Sequence, residues 1–266
     1  MPEAGGTWGS GSAYDAYVGR WSRAGADRVV PWLVAPTLGG WVDVGCGTGA
    51  LTAAVLAHAS PVSVLGVDAS PAFVRTAAER IRDPRARFDV GDAARLPVES
   101  GTVDALVSGL VLNFLPDRPA ALAEWRRLLC PRGVLGFYVW DYAGEMQLMR
   151  HLWDAAAALD PAAAERDEGR RSAFCRPQQL RDLVERAGFG NVRVDPIDVP
   201  TLFRDFDDYW TPFLGGTGPA PAYVAGLEPE ARERLRALLE QRLPRAADGT
   251  IPLVARAWAV RSNCPG

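Results

Sequence analysis

The chain has 266 residues, a formal net charge of −3 and 48% hydrophobic residues, which suffices for one large α/β domain with an insertion. A negative net charge argues against a nucleic-acid substrate, because proteins that neutralise phosphates present a basic surface. No apolar run reaches the ~20 residues that span a bilayer, the N-terminus is neither basic nor apolar, and the four cysteines lack metal-binding or disulfide spacing. We therefore expect a cytoplasmic protein without membrane insertion, a metal site or a nucleic-acid partner.

Apolar residues alternate along the chain between strand-like runs and helical faces. This alternation predicts a doubly wound α/β fold with a seven-stranded, mostly parallel sheet. The predicted strands cover residues 40–45, 62–68, 86–91, 103–108, 133–141, 191–199 and 252–261. The predicted helices cover residues 22–35, 48–58, 71–82, 118–129, 145–159, 177–187 and 228–243. The Gly- and Pro-rich stretch 211–223 is interpreted as a loop.

The most informative stretch covers residues 41–50. An apolar strand carries Asp43, and three glycines follow at alternate positions, Gly45, Gly47 and Gly49. Residues without a Cβ allow a tight turn and a close approach of a ligand to the backbone. A helix that begins near Thr48 offers its positive end and its unpaired N–H groups to a negative charge. The pattern predicts a nucleotide pocket on a parallel sheet.

Two carboxylates follow the next predicted strands. Asp68 ends the second strand, about 20 residues beyond the glycines, where an acid is expected to bind a ribose. Asp92 follows the third strand, in a Gly-Asp-Ala run. The glycine spacing also satisfies a dinucleotide fingerprint that ends at Ala50. An NAD(P)-dependent oxidoreductase therefore remains an alternative at this point.

The complete set of motifs resembles the class I S-adenosylmethionine-dependent methyltransferases. The D-x-G-x-G-x-G pattern that starts at Asp43 resembles their motif I, and the acids Asp68 and Asp92 stand at the family's spacing. The segment 102–140 resembles the type 11, or UbiE-like, branch, although Arg132 replaces the usual first glycine of its Pro-Gly-Gly turn. The resemblance covers residues 14–142 and implies a Rossmann-like sheet with S-adenosyl-L-methionine as cofactor.

The resemblance also implies roles for individual residues in binding this cofactor. The glycine loop wraps its amino-acid and ribose parts, Asp68 accepts from the ribose hydroxyls, and Asp92 accepts from the adenine amino group. An NAD enzyme needs no such adenine contact, and the short-chain type needs a Tyr-x-x-x-Lys motif, whereas this sequence contains no lysine. The predicted cofactor-binding residues are Arg20, Asp43, Gly45, Cys46, Gly47, Gly49, Asp68, Ala69, Asp92, Ala93 and Ser108.

An aromatic stripe near the N-terminus resembles the lid segment of the same family. Tyr14, Tyr17 and Trp21 are spaced to share one face of a short helix. Aromatic faces attract a sulfonium cation, and Arg20 is placed to pair with the methionine carboxylate. Packing within the protein is the alternative explanation for the stripe.

Candidates for the acceptor side follow the fifth strand, at the ligand-binding edge of an open α/β sheet. Methyl transfer is an in-line displacement in which positioning supplies much of the rate, and a hydroxyl acceptor also benefits from a base. Asp141 is the first candidate for this base and His151 the second, with helix capping and helix-surface placement as their alternatives. The predicted substrate-binding residues are Tyr17, Trp21, Asn113, Trp140, Tyr142 and Trp210.

These observations predict a domain plan and a function. We expect a helical lid segment over 1–36, a cofactor-binding core over 37–142, a helical cap over 143–250 interleaved with late core elements at 177–199, and the last core strand with a tail over 251–266. Aromatic residues in the cap suit a flat or apolar small molecule, and they equally suit the cap's own core. The predicted function is methyl transfer to a small-molecule acceptor. The alternatives are an oxidoreductase and a cofactor-binding protein without turnover.

Overall fold

The structure is a computed structural model that describes residues 19–36, 38–215 and 218–266, with the side chains of Arg20 and Arg171 outside the described part. The chain divides into two compact units. The core unit comprises Ser22–Val139, Arg176–Ile197 and Trp258–Gly266. The second unit comprises Trp140–Cys175 and Asp198–Ala257, together with the described residues up to Trp21.

Seven strands form one sheet in the order β3-β2-β1-β4-β5-β7-β6. They are β1 (Gly40–Val44), β2 (Ser63–Asp68), β3 (Ala86–Val90), β4 (Val103–Gly109), β5 (Leu129–Trp140), β6 (Gly190–Phe203) and β7 (Ile251–Asn263). β1 pairs in parallel with β2 and β4, as do β3 with β2 and β5 with β4. Backbone hydrogen bonds join Arg132 to Cys264 and Asp141 to Arg256. The residue numbers rise along β5 as they fall along β7, so the two strands are antiparallel. The predicted α/β class with a mostly parallel seven-stranded sheet is confirmed.

The helices alternate with the strands. They are α1 (Arg20–Leu33), α2 (Ala50–His58), α3 (Pro71–Arg80), α4 (Arg118–Leu128), α5 (Gln147–Leu159), α6 (Glu168–Arg171), α7 (Pro177–Arg186), α8 (Phe206–Trp210), α9 (Pro219–Ala225) and α10 (Pro229–Arg242). Side-chain caps fix two starts: the Ser70 hydroxyl accepts from Phe73 N at 3.4 Å before α3, and Asp117 accepts from Ala120 N at 2.9 Å before α4. Within the described ranges, every helix is too short or too polar to cross a membrane.

All seven predicted helices are present, but the interpretation of residues 211–223 as a loop was wrong. That stretch contains a 3₁₀ helix over Thr211–Gly215 and most of α9. Pro219 begins α9 at a position where a missing N–H costs nothing, and Val224 is fully buried. Gly215, Gly218 and Pro219, which indicated a loop, therefore mark the ends of short helices.

Arg132 takes the backbone conformation that its place in the turn requires. Its φ is +66°, in the left-handed region where glycine is favoured over residues with a Cβ. The replacement of the family's usual glycine therefore leaves the turn intact at the cost of local strain. This turn belongs to the start of β5, which begins at Leu129, four residues earlier than the sequence predicted.

The second unit has an aromatic core of its own. Tyr209 lies at its centre, with ring centroids 5.4 Å from Phe203 and 5.4 Å from Phe213. Its hydroxyl donates to the carbonyl of Leu148 at 3.0 Å. Each of these rings is at most 1% exposed. Packing among the rings therefore accounts for much of the aromatic density that the sequence shows in this region.

A buried carboxylate links three helices of the second unit. Glu168, in α6, accepts hydrogen bonds from the indole N–H of Trp153 in α5 and from the backbone of Ala220 in α9. Burial raises the pKa of Glu168 to about 6, against the opposing effect of these hydrogen bonds. The folded protein therefore holds this proton more tightly than the unfolded chain does.

This proton should make stability depend on pH. The folded pKa lies above the ordinary value of 4.5, so folding gains stability as the pH falls through 6 and the gain is complete near 4.5. Relative to Glu168→Gln, we expect the wild-type free energy of unfolding to rise by about 2 kcal/mol from pH 7.5 to 4.5. Urea unfolding across this range measures it. Glu165→Gln, at an exposed position, is the control. If the difference in free energy of unfolding between the wild type and Glu168→Gln does not change with pH, the prediction is wrong.

Candidate cofactor site and active site

The glycine loop, residues 45–49, connects β1 to α2. Gly45 has φ +71° and Gly47 has φ +53°, both in the left-handed region. A Cβ built on Gly45 would lie 2.3 Å from Cγ2 of Val111, whereas a Cβ on Gly47 would meet no described atom within 4 Å. Gly45 is therefore required for packing, and Gly47 leaves one face of the loop open to a ligand.

Backbone hydrogen bonds hold the loop over the tip of β2. The carbonyl of Val67 accepts from Gly45 N at 2.7 Å and from Cys46 N at 3.0 Å. The N-cap of α2 is Gly49, so no N-cap side chain accepts from the first N–H groups of this helix. The positive end of α2 therefore suits an anionic ligand group, as the sequence predicts, although the helix begins at Ala50, two residues later than expected.

Asp68 joins the glycine loop to the start of α3. Its Oδ2 accepts from Gly47 N at 3.0 Å, and its Oδ1 accepts from Ser70 N at 2.8 Å. Burial raises the pKa of Asp68, while these two backbone N–H groups lower it. Each carboxylate oxygen keeps a further lone pair. The side chain can therefore position the backbone and accept from a ligand hydroxyl at the same time.

Asp92 lies at the tip of the neighbouring strand. In the register of β2 with β3, Asp68 pairs with Val90, so the two acids lie on adjacent strand ends. Asp92 is exposed, and its Oδ1 accepts from Ala94 N at 2.9 Å. The carbonyl of Ala93 accepts from the indole N–H of Trp125 at 3.0 Å, which fixes this turn on the core unit. The exposed carboxylate is thus held on a rigid support.

Asp43 is fully buried beneath the loop. The Thr52 hydroxyl donates to its Oδ2 at 2.6 Å, and its Oδ1 has no hydrogen-bond partner among the described residues. Burial, with a smaller contribution from the nearby Asp68, raises the pKa of Asp43 to about 7 against the hydrogen bonds from Thr52, which lower it. A buried oxygen without a partner is costly, so this position favours a ligand or a proton that satisfies it.

The comparisons with known proteins agree with this geometry. The family model described as methyltransferase domain matches residues 42–137, which include the glycine loop and both carboxylates at the strand tips. A demethylmenaquinone methyltransferase from a Roseiflexus species is 30% identical over 170 residues, which cover 59% of this chain and 70% of that protein. The chain belongs to the class I S-adenosylmethionine-dependent methyltransferases. The resemblance seen in the sequence is confirmed.

Other methyltransferases match over part of their length. A trans-aconitate 2-methyltransferase from Methylobacterium radiotolerans is 37% identical over 162 residues, and the match spans 58% of each protein. In fold, the chain is similar to phosphoethanolamine N-methyltransferase 2 of Haemonchus contortus in complex with S-adenosyl-L-methionine, with a TM-score of 0.61 and 16% identity over 97% of this chain and 58% of that one. The chain spans less than two thirds of the trans-aconitate enzyme, so its own acceptor is a separate question.

S-adenosylmethionine is the cofactor of this methyltransferase, and the described residues fit it. Gly47 leaves open space beside the loop, and Asp68 and Asp92 offer acceptor oxygens at adjacent strand tips. Asp43 adds a buried oxygen without a partner beneath the same loop. A carboxylate-rich site of this kind suits a cationic cofactor with hydroxyl and amino donors. No comparison supports the oxidoreductase alternative.

Three other predicted cofactor residues have observed roles in the core unit. The Ser108 hydroxyl donates to the carbonyl of Val44 at 2.8 Å, which ties β4 to β1. The Cys46 thiol is buried, and burial raises its pKa, so it is suited to packing rather than to nucleophilic chemistry. Ala69 is exposed beside Asp68. Their direct contacts with the cofactor stay predictions, as does that of Arg20, whose side chain lies outside the described part.

The candidates at the end of β5 belong to the second unit. Asp141 is 6% exposed, and its Oδ2 accepts from Glu145 N at 2.9 Å. Asp141 thus shapes the turn before α5, and the N-cap of α5 is Met146. Trp140 is 1% exposed with an indole N–H that has no partner among the described residues, and Tyr142 is also buried.

His151 is the histidine of α5 and is partly buried. Burial lowers its pKa below the usual value, while Asp154 and Glu145 oppose this shift. The imidazole is therefore neutral near pH 7 and has a lone pair with which to accept a proton. The Asp141 carboxylate, by contrast, already accepts a hydrogen bond from the turn before α5.

The remaining predicted acceptor residues have packing or turn positions within their own units. Trp21 packs edge-on against Phe203 at 5.5 Å, and Trp210 stacks on Phe206 at 6.3 Å with 5% exposure. Asn113 lies in the core unit, in the 3₁₀ turn that follows β4. Their contact with a substrate stays a prediction, and Tyr17 lies outside the described residues.

Sequence reasoning missed three residues that shape the site. Val111 packs against Gly45, Thr52 hydrogen-bonds Asp43, and the carbonyl of Val67 holds the loop. Thr52 had a detectable signal, because an otherwise apolar helix carries one hydroxyl on its first turn. The contacts of Val111 and Val67 depend on how the strands pair, which the local sequence does not indicate.

Proposed function

We propose that this chain transfers a methyl group from S-adenosylmethionine to a small organic acceptor by in-line displacement. The observation that carries the proposal is that the Asp68 carboxylate accepts hydrogen bonds from both Gly47 N and Ser70 N. These two bonds hold the glycine loop beside a carboxylate. Family membership supports the same reaction. A cytoplasmic location stays a prediction.

The residues of the chain would bind, orient and shield the reactants. When bound, S-adenosylmethionine supplies a methyl group activated by a positively charged sulfur. Asp68 and Asp92 would orient the nucleoside through its donors, and the positive end of α2 would face an anionic group. We further propose that residues 1–36 close the site, with Tyr17 and Trp21 excluding water, and that 143–250 bind the acceptor.

We propose His151 as the general base for an acceptor that must lose a proton, with Asp141 as a positioning residue of the turn before α5. A neutral imidazole accepts a proton at pH 7, and its lowered pKa keeps it neutral in mildly acidic solution. For His151→Gln we expect kcat to fall by about 10²-fold, with unchanged affinity for S-adenosylmethionine and loss of the acidic limb of the pH profile.

The control for this variant is the chain's other histidine. His58 is at the end of α2 and pairs with Asp27 at 3.2 Å on the surface. His58→Gln should keep both kcat and the acidic limb. If the two variants have the same kcat as the wild type, His151 is not the base. Acceptors that need no deprotonation should be insensitive to His151→Gln.

The acceptor is open to a direct test. The names of the relatives include an organic acid and a quinol precursor, so trans-aconitate and demethylmenaquinol represent two chemically distinct classes. Incubation of the chain with labelled S-adenosylmethionine and each acceptor, followed by mass spectrometry, measures methylated product and S-adenosylhomocysteine together. Cofactor binding without S-adenosylhomocysteine for any acceptor, including a cell extract, would support the cofactor-binding protein without turnover instead.

A further inference from the structure

Asp43 is a buried acid, and no cation among the described residues balances its charge. It is 0% exposed on β1, where an ionised carboxylate loses the stabilisation of water. Among the described residues, Asp68 on β2 raises the pKa of Asp43, and Asp43 in turn raises the pKa of the Cys46 thiol in the loop, so these ionisable neighbours are both acids. The described surroundings thus disfavour a negative charge here.

Only one of the two carboxylate oxygens of Asp43 has a hydrogen-bond partner among the described residues. Thr52 on α2 donates to Oδ2 at 2.6 Å and so occupies that oxygen as an acceptor. Oδ1 has no partner among the described residues. Among the described residues, Thr52 alone stabilises the charge, through its hydroxyl and its backbone N–H, and this is too little for a buried carboxylate, which usually pairs with a cation or accepts bonds at both oxygens. A proton on Oδ1 would remove the charge.

We propose that Asp43 carries a proton in the cofactor-free enzyme and releases that proton when the positively charged cofactor enters beside the glycine loop. The O–H bond of the carboxyl breaks, its electron pair stays on Asp43, and the proton passes to solvent. The incoming positive charge favours the ionised carboxylate by opposite-charge attraction. The raised pKa of Asp43, about 7 because of burial, agrees with this proton.

The consequence is that cofactor affinity depends on pH. With a pKa of about 7, roughly nine tenths of Asp43 is protonated at pH 6 and half at pH 7. Binding at pH 6 should release close to one proton and should be about fivefold weaker than at pH 7, since only the ionised fraction binds favourably. The cofactor's own α-amino group remains protonated in this range.

Calorimetric titration with S-adenosylmethionine tests the inference without any acceptor. Titrations at pH 6 in three buffers of different ionisation enthalpy give the number of protons released. We expect close to one for the wild type and none for Asp43→Asn, whose affinity should no longer change between pH 6 and pH 7. The control Asp89→Asn, at an exposed site on β3, should behave as the wild type.

The possible outcomes separate this inference from the cofactor assignment on which it rests. No binding of S-adenosylmethionine at all would reject the assignment. Binding without proton release, or equal release from Asp43→Asn and the wild type, would reject the inference alone. If Asp43→Asn does not fold, the wild type still decides, because affinity that stays constant between pH 6 and pH 7 contradicts the proposal.

Discussion

Replacement of Gly45 by alanine is expected to lower the free energy of unfolding by about 2–5 kcal/mol. The new Cβ would lie 2.3 Å from Val111 Cγ2, well inside contact distance, and the residue would have to keep φ +71°. Overpacking in a well-packed site costs about 1–3 kcal/mol, and the left-handed conformation adds about 1–2 kcal/mol. Urea unfolding followed by circular dichroism measures the loss.

Two companion variants distinguish packing from cofactor binding. Adding Val111→Ala to Gly45→Ala removes the clash and should restore part of the lost stability. Gly47→Ala should cost only about 1 kcal/mol of stability, since its Cβ meets open space, but it should weaken S-adenosylmethionine binding at least tenfold by occupying that space. Equal destabilisation by both single alanine variants, with unchanged affinity, would mean that the loop is only structural.

Loss of the Asp68 carboxylate is expected to weaken S-adenosylmethionine binding by about 1–3 kcal/mol, or roughly tenfold to a hundredfold, because charge-assisted hydrogen bonds are lost. In Asp68→Ala, the N–H groups of Gly47 and Ser70 also lose their acceptor, so the loop becomes less ordered. The affinity is measured by calorimetry, with the exposed Asp89→Ala as control.

The outcome for Asp68 also decides between its two roles. If Asp68→Ala keeps full affinity while its stability falls, the carboxylate serves only to position the backbone at the start of α3. If affinity falls and Asp68→Asn restores little of it, the negative charge itself is required. We expect the second result, because hydrogen bonds that ligand hydroxyls donate to an ionised carboxylate are stronger than those to the neutral amide oxygen of asparagine.

The sequence predicted the sheet well because each strand is a short apolar run between clear turn residues. The first strand and the glycines after it identify the site on their own, since left-handed φ values and a close backbone approach require glycine there. By contrast, α9 was missed because Pro219 and Gly218 suggested a loop, whereas proline at a first helical position begins a helix.

The energetic details of the site were beyond local reasoning. Asp43 was predicted from its motif, but its hydrogen bond from Thr52 and the absence of a cation among its described neighbours depend on how α2 packs on β1. Glu168 was not predicted, because nothing in the short sequence Glu168–Arg171 indicates that this carboxylate is buried against Trp153. Trp210 was predicted to contact substrate, and only the three-dimensional structure shows it stacked on Phe206.

The most direct test of the central claim is an equilibrium titration of the full chain with S-adenosylmethionine beside an identical titration with NADH. The glycine loop, Asp68 and Asp43 predict saturable one-to-one binding of S-adenosylmethionine that weakens in Gly47→Ala, and no saturable binding of NADH. Saturable binding of NADH, or an S-adenosylmethionine affinity that Gly47→Ala and Asp68→Ala leave unchanged, would contradict the assignment of this site.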